Sequence, residues 1–444
     1  MNKTELVKSY LMNEIEQGNI RSGQRLPGCR EMASKLSVNK TTVNKAYKEM
    51  EEMHLLYCVP RGGYYYAGAD LNETAASKVI DFQTVTPDPT LIPYRAFTHA
   101  MNRAIEEHKK NLFNYETPLG LKELRETLKE RFEQNGVYAS SLQILITHGA
   151  QQGIYLSLKA IFPTPSDGKL LVETPTYHLA LDMAKSLHID CVGISRSAHG
   201  INLDELERIF QREPIKAFYI IPRHHNPTGY SLLEKDKKRI VELCYRYQVL
   251  LIEDDYLADL GTDKRNLPLF YYDTHQLTIY IRSFSKTFIP GIRLGALVMP
   301  TALHEPIMEH KYLLDISTSS ITQGALDFFI RSGMYDQHIR KVNTCYKRKL
   351  LKAKAILTRM SPVGLSFHVP KQGLFLWLTL PAEVSVHRVA EKLAANHIRV
   401  SSSSPFYIAD QAAQNLRLCI SGVPEKDMAA LGAVVEAIKG EMRQ

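Results

Sequence analysis

Five polar clusters follow five short apolar segments in this chain, and this arrangement constrains the fold more than any other feature of the sequence. From about residue 80 onward, short apolar runs alternate with longer segments of helical type, which predicts an α/β domain with crossover helices. Polar residues come directly after the runs that end at Thr147, Glu173, Ile221, Glu253 and Arg282. Since ligands of open α/β sheets bind outside the carboxyl ends of the strands, the five clusters predict a single pocket.

The residues of these clusters share the chemistry that one cofactor requires. They include Lys286 on a serine-rich turn, a carboxylate pair at Asp254 and Asp255, the ring of Tyr177 and the amide of Asn226. Pyridoxal phosphate needs a lysine that forms a Schiff base, a carboxylate beside its ring nitrogen and donors for its phosphate. The pocket is therefore predicted to bind pyridoxal phosphate.

Other motif interpretations of these residues fail. Ser283 and Lys286 fit the S-x-x-K pattern of penicillin-binding enzymes, but the sequence lacks the K-T-G and S-D-N motifs that accompany it. A zinc-protease helix is excluded because His304 and His310 do not have its spacing. The glycine fingerprints of dinucleotide and P-loop sites are also missing, and we predict no metal site.

From about residue 80 to residue 440 the segments resemble, in the same order, those of the fold-type I aminotransferases. The resemblance implies that Lys286 in SFSK forms the Schiff base with the cofactor and that Asp254 in EDDY pairs with the ring nitrogen. Tyr256 and Asn226 would bond to the ring oxygen, and Tyr177 would stack on the ring face. The implied fold is a large mixed α/β sheet followed by a small C-terminal α/β lobe.

The same resemblance implies a phosphate site, a partner subunit and a carboxylate site. The start of a helix and a cup of side chains would hold the phosphate, namely Gly149, Ala150, Gln151, Ser283, Ser285 and Arg293. Tyr115, in YETPLG, resembles the tyrosine that reaches the phosphate of the partner subunit, which implies a homodimer. Arg417, in LRLCIS, matches the arginine that binds a substrate carboxylate in a bidentate fork.

The first 67 residues contain three predicted helices and a hairpin. Apolar residues at helical spacing mark the first helix, the second is predicted over residues 30–36, and the third from about residue 40 to residue 53. Asn39 is the predicted N-cap of the third helix. LLYCV and YYYA flank a glycine turn and predict a β-hairpin. Together these elements are typical of a winged helix-turn-helix.

The predicted third helix has two distinct faces. An apolar face recurs at i, i+3, i+4 and i+7, formed by Val43, Ala46, Tyr47 and Met50. A second face with the same spacing can donate to phosphates or base edges, and it consists of Thr41, Asn44, Lys45 and Lys48. No acid lies between residues 36 and 48, so the helix is predicted to enter a major groove of DNA.

The stretch RSGQRLPGCREMASKLSVNKTTVNKAYKEME, followed by RGGYYYA, resembles the GntR-type winged-helix family. Together with the donor face, this resemblance predicts DNA contacts from the second helix, the third helix and the wing. The predicted contacts are Arg30, Lys40, Thr41, Thr42, Asn44, Lys45, Arg61 and Gly62. The family commonly has arginine where Lys40 stands, so a bidentate base contact is lost at this position.

A GntR-type head in front of an aminotransferase-type body resembles the MocR-type regulators over almost the whole chain. The resemblance implies a regulator that binds a double-stranded DNA operator and senses pyridoxal phosphate, or an amino compound that reacts with it. Two alternatives stay open. Lys286, Asp254 and Arg417 also suit an active aminotransferase acting on an amino acid and a 2-oxo acid, and Asn226 favours this because the regulators often carry an aromatic residue there. The other alternative is a sensor of pyridoxal phosphate alone.

The bulk properties of the chain agree with two domains. We predict a winged helix-turn-helix over residues 1–67, a small polar linker over 68–79 and the cofactor domain over 80–444. The net charge of +8 permits contact with a polyanion. Six cysteines without C-x-x-C spacing predict reduced thiols. No apolar run matches a bilayer and the N-terminus has no signal-peptide core, so we expect a cytoplasmic protein without a membrane partner.

Overall fold

The structure is a computed structural model that describes residues 3–21, 23–52, 55–59, 62–66, 79–115, 117–164, 167–261, 266–408 and 414–443. The predicted linker, residues 68–79, lies outside these ranges except for Val79, and Arg61 of the predicted wing lies outside them too. Contacts within the chain separate two units, Met1–Lys78 and Val79–Gln444. In the described ranges no helix is long and apolar enough to cross a membrane, and no three His, Cys, Asp or Glu side chains are grouped as a metal site would need.

In its described residues the first unit contains three helices and a two-stranded antiparallel sheet. These are α1 (Lys3–Glu16), α2 (Cys29–Lys35), α3 (Lys40–Glu52), β1 (Leu56–Val59) and β2 (Gly63–Tyr66). The predicted helix-turn-helix and hairpin are confirmed, with α2 beginning and ending one residue earlier than expected and α3 ending one residue earlier. The side-chain oxygen of Asn39 accepts a hydrogen bond from the amide of Thr41 at 3.1 Å, so the predicted N-cap of α3 is present.

The apolar face of α3 forms the centre of this unit. Val43 and Ala46 are fully buried, and Tyr47 and Met50 are almost so. They pack with apolar side chains of α1, α2 and the hairpin in one cluster. The hydroxyl of Tyr47 donates to the carbonyl of Pro27 at 2.9 Å, which ties α3 to the segment before α2. Packing therefore uses one face of α3 and leaves the opposite face to solvent.

A large sheet forms the centre of the second unit. Its strands are β4 (Ile144–Thr147), β5 (Lys169–Thr174), β6 (Cys191–Ser197), β7 (Gly200–Ile201), β8 (Ile215–Ile220), β9 (Leu250–Asp254), β10 (Thr278–Ser283) and β11 (Gly295–Val298). Their order is β4-β11-β10-β9-β8-β5-β6-β7. All five apolar runs that precede the polar clusters are strands of this sheet, namely β4, β5, β8, β9 and β10.

Strand direction brings the predicted polar clusters together. β5, β6, β8, β9 and β10 are parallel to one another. β11 is antiparallel to both of its neighbours, β10 and β4, so β4 runs in the same direction as β10. The carboxyl ends of β4, β5, β8, β9 and β10 therefore lie at one edge of the sheet, as a single pocket requires.

Helices cover both faces of the sheet, which explains why its strands are continuous apolar runs. The helices of this part are α4 (Tyr94–His108), α5 (Lys122–Glu133), α6 (Gly149–Ile161), α7 (His178–Ser186), α8 (Leu203–Arg212), α9 (Glu234–Tyr247), α10 (His304–Asp315) and α11 (Ser320–Arg331). Neighbouring strand residues pack into opposite layers, since Leu145 joins the cluster on the α6 side and Ile144 and Ile146 join the cluster of α4, α5 and α11.

A smaller lobe completes the second unit. It contains α12 (Met334–Met360), α13 (Val386–Ala395), α14 (Leu431–Met442), and a sheet of β12 (Ser366–His368), β13 (Phe375–Thr379), β15 (Ser401–Ser402) and β16 (Asn415–Cys419). β3 (Ile80–Asp81) pairs in parallel with β14 (Ile398–Arg399), so the chain enters the unit at this lobe. The predicted fold class, a large mixed sheet with a small C-terminal α/β lobe, is confirmed.

Candidate cofactor site and DNA-binding face

The predicted pocket is a cavity of about 220 Å³ at the carboxyl edge of the large sheet. Ten of the twelve residues predicted for the cofactor line it, namely Ala150, Gln151, Tyr177, Asn226, Asp254, Tyr256, Ser283, Ser285, Lys286 and Arg293. Three further lining residues, Val85, Leu179 and Ile221, were not predicted. They are apolar and carry no motif, so no sequence signal marked them.

Asp254, the last residue of β9, offers a free oxygen in a buried place. Its Oδ2 accepts a hydrogen bond from the hydroxyl of Tyr219 at 2.8 Å. Its Oδ1 is buried and has no hydrogen-bond partner among the described residues. Burial raises the pKa of the carboxyl group to about 7, although the bond from Tyr219 opposes this. Tyr219 was not predicted, and the only signal for it was a hydroxyl inside the apolar run of β8.

The neighbouring carboxylate, Asp255, has a different environment. Arg223 binds it through two nitrogens, and the hydroxyl of Tyr280 donates to it at 2.7 Å. Burial alone would raise the pKa of Asp255, but Arg223 and Tyr280 keep it below its ordinary value. Of the two adjacent carboxyl groups, Asp254 is therefore the one that lines the cavity and remains available to a ligand.

Lys286 follows β10 on the predicted turn and projects into the same cavity. Its Nζ donates to the backbone carbonyl of Val85 at 2.9 Å. Burial lowers the pKa of the amine, and the positive charges of Arg293 and Arg417 act in the same direction. A lysine with a lowered pKa has a larger neutral fraction, which is the form that attacks a carbonyl carbon.

One end of the cavity is arranged to bind an anion. Gly149 begins α6 with a φ of +77°, and a Cβ there would lie 3.3 Å from a guanidinium nitrogen of Arg293, so glycine suits this close approach. Arg293 donates to the side-chain oxygen of Gln151 at 3.3 Å. The hydroxyl of Ser285 is buried without a partner among the described residues. The first amides of α6, which lack helical partners, lie at the positive end of the helix dipole.

Tyr256 and Asn226 line the cavity and already bond to the protein. The hydroxyl of Tyr256 donates to the backbone carbonyl of His224 at 2.7 Å. The side-chain oxygen of Asn226 accepts from Arg417 at 3.4 Å. The ring of Tyr177, between β5 and α7, lies in the same wall.

Arg417 lies beside this cavity, on β16 of the small lobe. Its guanidinium is placed between the rings of Phe375 and Phe406, 5.0 and 4.8 Å from their centroids. One terminal nitrogen donates to the backbone carbonyl of Gln83 at 2.6 Å and to the hydroxyl of Ser401 at 3.2 Å. The Nε is buried and, within the described residues, has no partner. Sequence reasoning found the arginine but not these four neighbours.

Tyr115 is the predicted cofactor residue that lies away from the cavity. It is 86 % exposed. A tyrosine expected to act on a partner subunit would have this exposure in a single chain, so the prediction remains open.

The DNA-binding candidates of the first unit are grouped on its surface. The side chains of Arg30 on α2 and of Lys40, Thr41, Asn44 and Lys45 on α3 are exposed. Thr42 is half-buried, and Gly62 is at the hairpin turn, where a Cβ would clash with Val59 at 2.9 Å. On α3 the row of donors from Lys40 to Lys45 contains no acid, which suits contact with phosphates and base edges.

Two family models match the chain. Residues 88–435 match the family of aminotransferase class I and II, and residues 3–65 match the gntR family of bacterial regulatory proteins. The first match spans more than half of the chain, and its members depend on pyridoxal phosphate, so the predicted cofactor is confirmed.

Individual proteins agree with both matches. The helix-turn-helix transcriptional regulator YcxD of Bacillus subtilis is 36% identical over 420 residues, which are 93% of this chain and 94% of YcxD. An aromatic-amino-acid aminotransferase of Thermococcus litoralis is 28% identical and covers 83% of this chain and 90% of its own.

Among solved structures, a multiple substrate aminotransferase from Thermococcus profundus is similar at a TM-score of 0.76 and 25% identity, covering 84% of this chain and 94% of its own. The order of the two domains and the similarity to YcxD over nearly the full length of both chains identify the family. The chain belongs to the MocR-type regulators, in which a GntR-family helix-turn-helix domain precedes an aminotransferase class I and II domain.

Proposed function

We propose that this chain acts as a homodimeric transcription regulator whose affinity for a DNA operator depends on pyridoxal phosphate and on an amino compound bound beside it. The observation that carries the proposal is the cavity lined by Lys286 and Asp254, with Arg417 beside it, in a chain that also has a GntR-family head. The head binds double-stranded DNA, and the cavity supplies the signal.

The residues of the cavity fit pyridoxal phosphate. The unpartnered oxygen of Asp254 suits the N–H of a pyridinium ring, and the unpartnered hydroxyl of Ser285 suits a phosphate. Arg293, Gln151 and the first amides of α6 supply further phosphate donors. Lys286 is the residue that would hold the cofactor covalently. When bound, pyridoxal phosphate supplies an electrophilic carbon that reacts with primary amines.

The protein side chains then determine which amine can enter. Arg417 is the predicted clamp for a carboxylate, and its buried Nε has no hydrogen-bond partner among the described residues. Asp254 keeps a proton at the ring nitrogen, and the hydroxyl of Tyr256 lies in the cavity wall. The favoured effector is therefore an amino compound that carries a carboxylate group.

The same contacts suggest how the signal leaves the cavity. The carbonyls of Gln83 and Val85 accept hydrogen bonds from Arg417 and Lys286, the two cations that the effector and the cofactor require. A carboxylate that binds Arg417 competes with Gln83, which lies only a few residues after the predicted linker to the head. Effector binding would then shift the segment that begins the second unit and so change how two heads meet DNA.

The proposed dimer rests on Tyr115 and the proposed DNA contact on α3. Tyr115 is exposed in one chain, and in a dimer it would reach the phosphate of the partner's cavity. On α3, Asn44 would read a base edge while Lys40 and Lys45 bind phosphates, with Arg30 and Thr42 beside them.

An active aminotransferase is the second candidate. It is favoured by Asn226, whose side-chain oxygen lies 3.4 Å from Arg417, and by the similarity to the aromatic-amino-acid aminotransferase. Sustained turnover of an amino donor with a 2-oxo acid, at ordinary enzyme rates, would favour this function. A sensor of the cofactor alone would respond to pyridoxal phosphate in DNA binding and show no further change with any amine.

The decisive experiment measures DNA affinity and cofactor state in the same samples. Full-length protein is used to select a tight-binding duplex from a random-sequence pool, and this selected duplex is titrated with and without pyridoxal phosphate and a panel of amino acids. We expect an effector to shift both the cofactor spectrum and the affinity in wild type, and neither in Lys286→Ala. A spectral shift that leaves the affinity unchanged would overturn the proposed coupling.

A further inference from the structure

The long helix α12 carries an unusual excess of positive charge. Over Met334–Met360 it contains eight lysines and arginines and one acid, Asp336. Asp336 is paired with Arg131 from α5. The helix is anchored firmly, since residues along its inner side, from Tyr335 to Leu357, are buried.

Among the residues that the structure describes, only three of these eight cations have an acidic partner. Lys349 is buried against Asp88 at 2.8 Å, and Arg348 and Lys352 share Glu425. The other five form no ion pair or side-chain hydrogen bond with any residue that the structure describes, and they are Arg340, Lys341, Lys347, Lys354 and Arg359. All five are exposed. Acids near the helix are thus neutralised by other cations and do not offset these five.

The unpaired cations are ordered along the helix. Arg340, Lys347 and Lys354 are seven residues apart, so they lie in one row with a spacing of about 10.5 Å. Two surface depressions, of about 850 and 510 Å³, flank this row, and Lys341 and Lys371 stand in them. We call the surface formed by Arg340, Lys341, Lys347, Lys354 and Lys371 the α12 basic face.

A row of fixed, unpaired cations is a surface for a polyanion. From Arg340 to Lys354 the row is about 21 Å long, the length of about six base pairs of duplex DNA. Duplex DNA is the polyanion that the helix-turn-helix domain of this chain is proposed to bind. Lysine and arginine side chains donate to the phosphate oxygens of any sequence, so the row suits contact with the DNA backbone.

We infer that the α12 basic face binds the phosphate backbone of DNA that flanks the operator. The inference rests on the proposed function, because it assumes a head that binds an operator. The α12 basic face would be a second DNA contact, located in the domain that holds the cofactor. The protein would then cover a longer stretch of DNA than its helix-turn-helix domain alone.

The test compares two duplexes and two charge-reversal variants of the full chain loaded with pyridoxal phosphate. The short duplex is the selected operator core, and the long duplex adds about 25 base pairs of unrelated sequence on each side. Lys347→Glu with Lys354→Glu reverses two of the five charges of the α12 basic face. Arg212→Glu with Lys235→Glu is the matched control, since both residues are exposed, have no described partner and change the net charge equally. The visible absorption of the bound cofactor verifies that each variant is folded.

We expect wild type and the control to bind the long duplex about tenfold or more tightly than the short one. The Lys347/Lys354 variant should lose this advantage and keep its affinity for the short duplex. The slope of log affinity against log salt for the long duplex should fall by about two in that variant.

Two results would overturn the inference. The first is a wild type that binds the long duplex no more tightly than the short one, and the second is an equal loss of affinity for the long duplex in both variants. If wild type binds the short duplex but gives one of these results, the inference is wrong and the proposed function still stands. A wild type that binds neither duplex refutes the proposed function together with the inference.

Discussion

The two candidate sites of this chain differ in how they are built. Apart from the wing, the DNA-binding face comes from one short stretch, residues 30–45, and most of the candidate side chains there are exposed on two neighbouring helices. The cofactor cavity draws on residues from Val85 to Arg293, which lie on several strands and loops. Its central groups, Asp254 and Lys286, are held by partners distant in sequence, Tyr219 and Val85. The first site depends on a helix face, and the second on a whole domain.

This difference concerns energetics as well as position. Exposed donors on a helix interact with water until DNA replaces it, so each contributes modestly and nearly independently. Buried ionisable groups have already lost their water, so leaving one without a partner is costly. Substitutions in the cavity should therefore have larger and more coupled effects than substitutions on the head.

The largest effect is expected at Arg417. Arg417→Met removes a desolvated cation, and losing such a contact with a carboxylate costs about 2–5 kcal/mol. The half-saturating concentration of amino acid effectors, followed by the cofactor spectrum, should rise by at least about 30-fold. A primary amine without a carboxylate is the control and should bind as to wild type. Equal weakening for both compounds would contradict the proposed clamp.

Asp254→Asn should have the next largest effect. It should weaken cofactor binding and stabilise the cofactor-free protein. Loss of a hydrogen bond between charged groups should weaken pyridoxal phosphate binding by about 1.5–3 kcal/mol, or about 10- to 150-fold. The cofactor-free protein should become more stable, because the fold raises the pKa of Asp254 to about 7 and so disfavours its charged form.

The size of this stability change depends on pH. The destabilisation by Asp254 is absent below about pH 4, where the carboxyl group is protonated in both states, and it grows until about pH 7. The melting temperature of Asp254→Asn should therefore exceed that of wild type at pH 8 and match it at pH 4. Asp255→Asn is the control and should destabilise the protein at pH 8, since Arg223 would lose its partner. A pH-independent difference for Asp254→Asn would disprove the assignment.

On the head, the effects should be smaller and separable. Asn44→Ala should cost about 1–3 kcal/mol on the selected duplex and little on unrelated DNA. Lys45→Ala should weaken both equally and reduce the salt slope by about one. Fluorescence titrations with both duplexes at several salt concentrations measure this. If Asn44→Ala weakens both duplexes alike, α3 does not read bases through this residue.

The smallest effect concerns the N-cap of α3. Asn39→Ala removes the hydrogen bond to the amide of Thr41 and should cost about 1 kcal/mol. Amide hydrogen exchange at the start of α3 should become about fivefold faster, while exchange in the second unit stays unchanged. Asn39→Asp retains an acceptor and should behave like wild type. Unchanged exchange in Asn39→Ala would show that packing of Tyr47 alone holds the helix start.

The same contrast explains how much could be predicted from the sequence. The helix-turn-helix could be predicted because the period of Val43, Ala46, Tyr47 and Met50 and the cap at Asn39 are local signals. The strands and the converging polar clusters were predictable for a second reason. Each cluster follows an apolar run, and parallel strands bring such ends together whatever their separation in sequence.

What remained hidden was the support of the cavity. Tyr219 inside β8 and Phe375 beside Arg417 look like ordinary core residues in the sequence. The backbone carbonyls of Gln83 and Val85 act through atoms that every residue has, so no residue type marks them. Which of the adjacent carboxylates Asp254 and Asp255 is available to a ligand depends on Arg223, which binds Asp255 and is about thirty residues away in sequence. Such contacts become visible only when the chain is folded.

The central claim is that pyridoxal phosphate is held covalently by Lys286. Reduction of the loaded full-length protein with borohydride, followed by peptide mass spectrometry, tests it most directly. The account predicts one phosphopyridoxyl adduct, on the peptide that contains Lys286, and none on Lys237, Lys311 or Lys349, which are buried but bound to protein groups. A protein without an adduct, or with its adduct on one of these other lysines, would contradict the account.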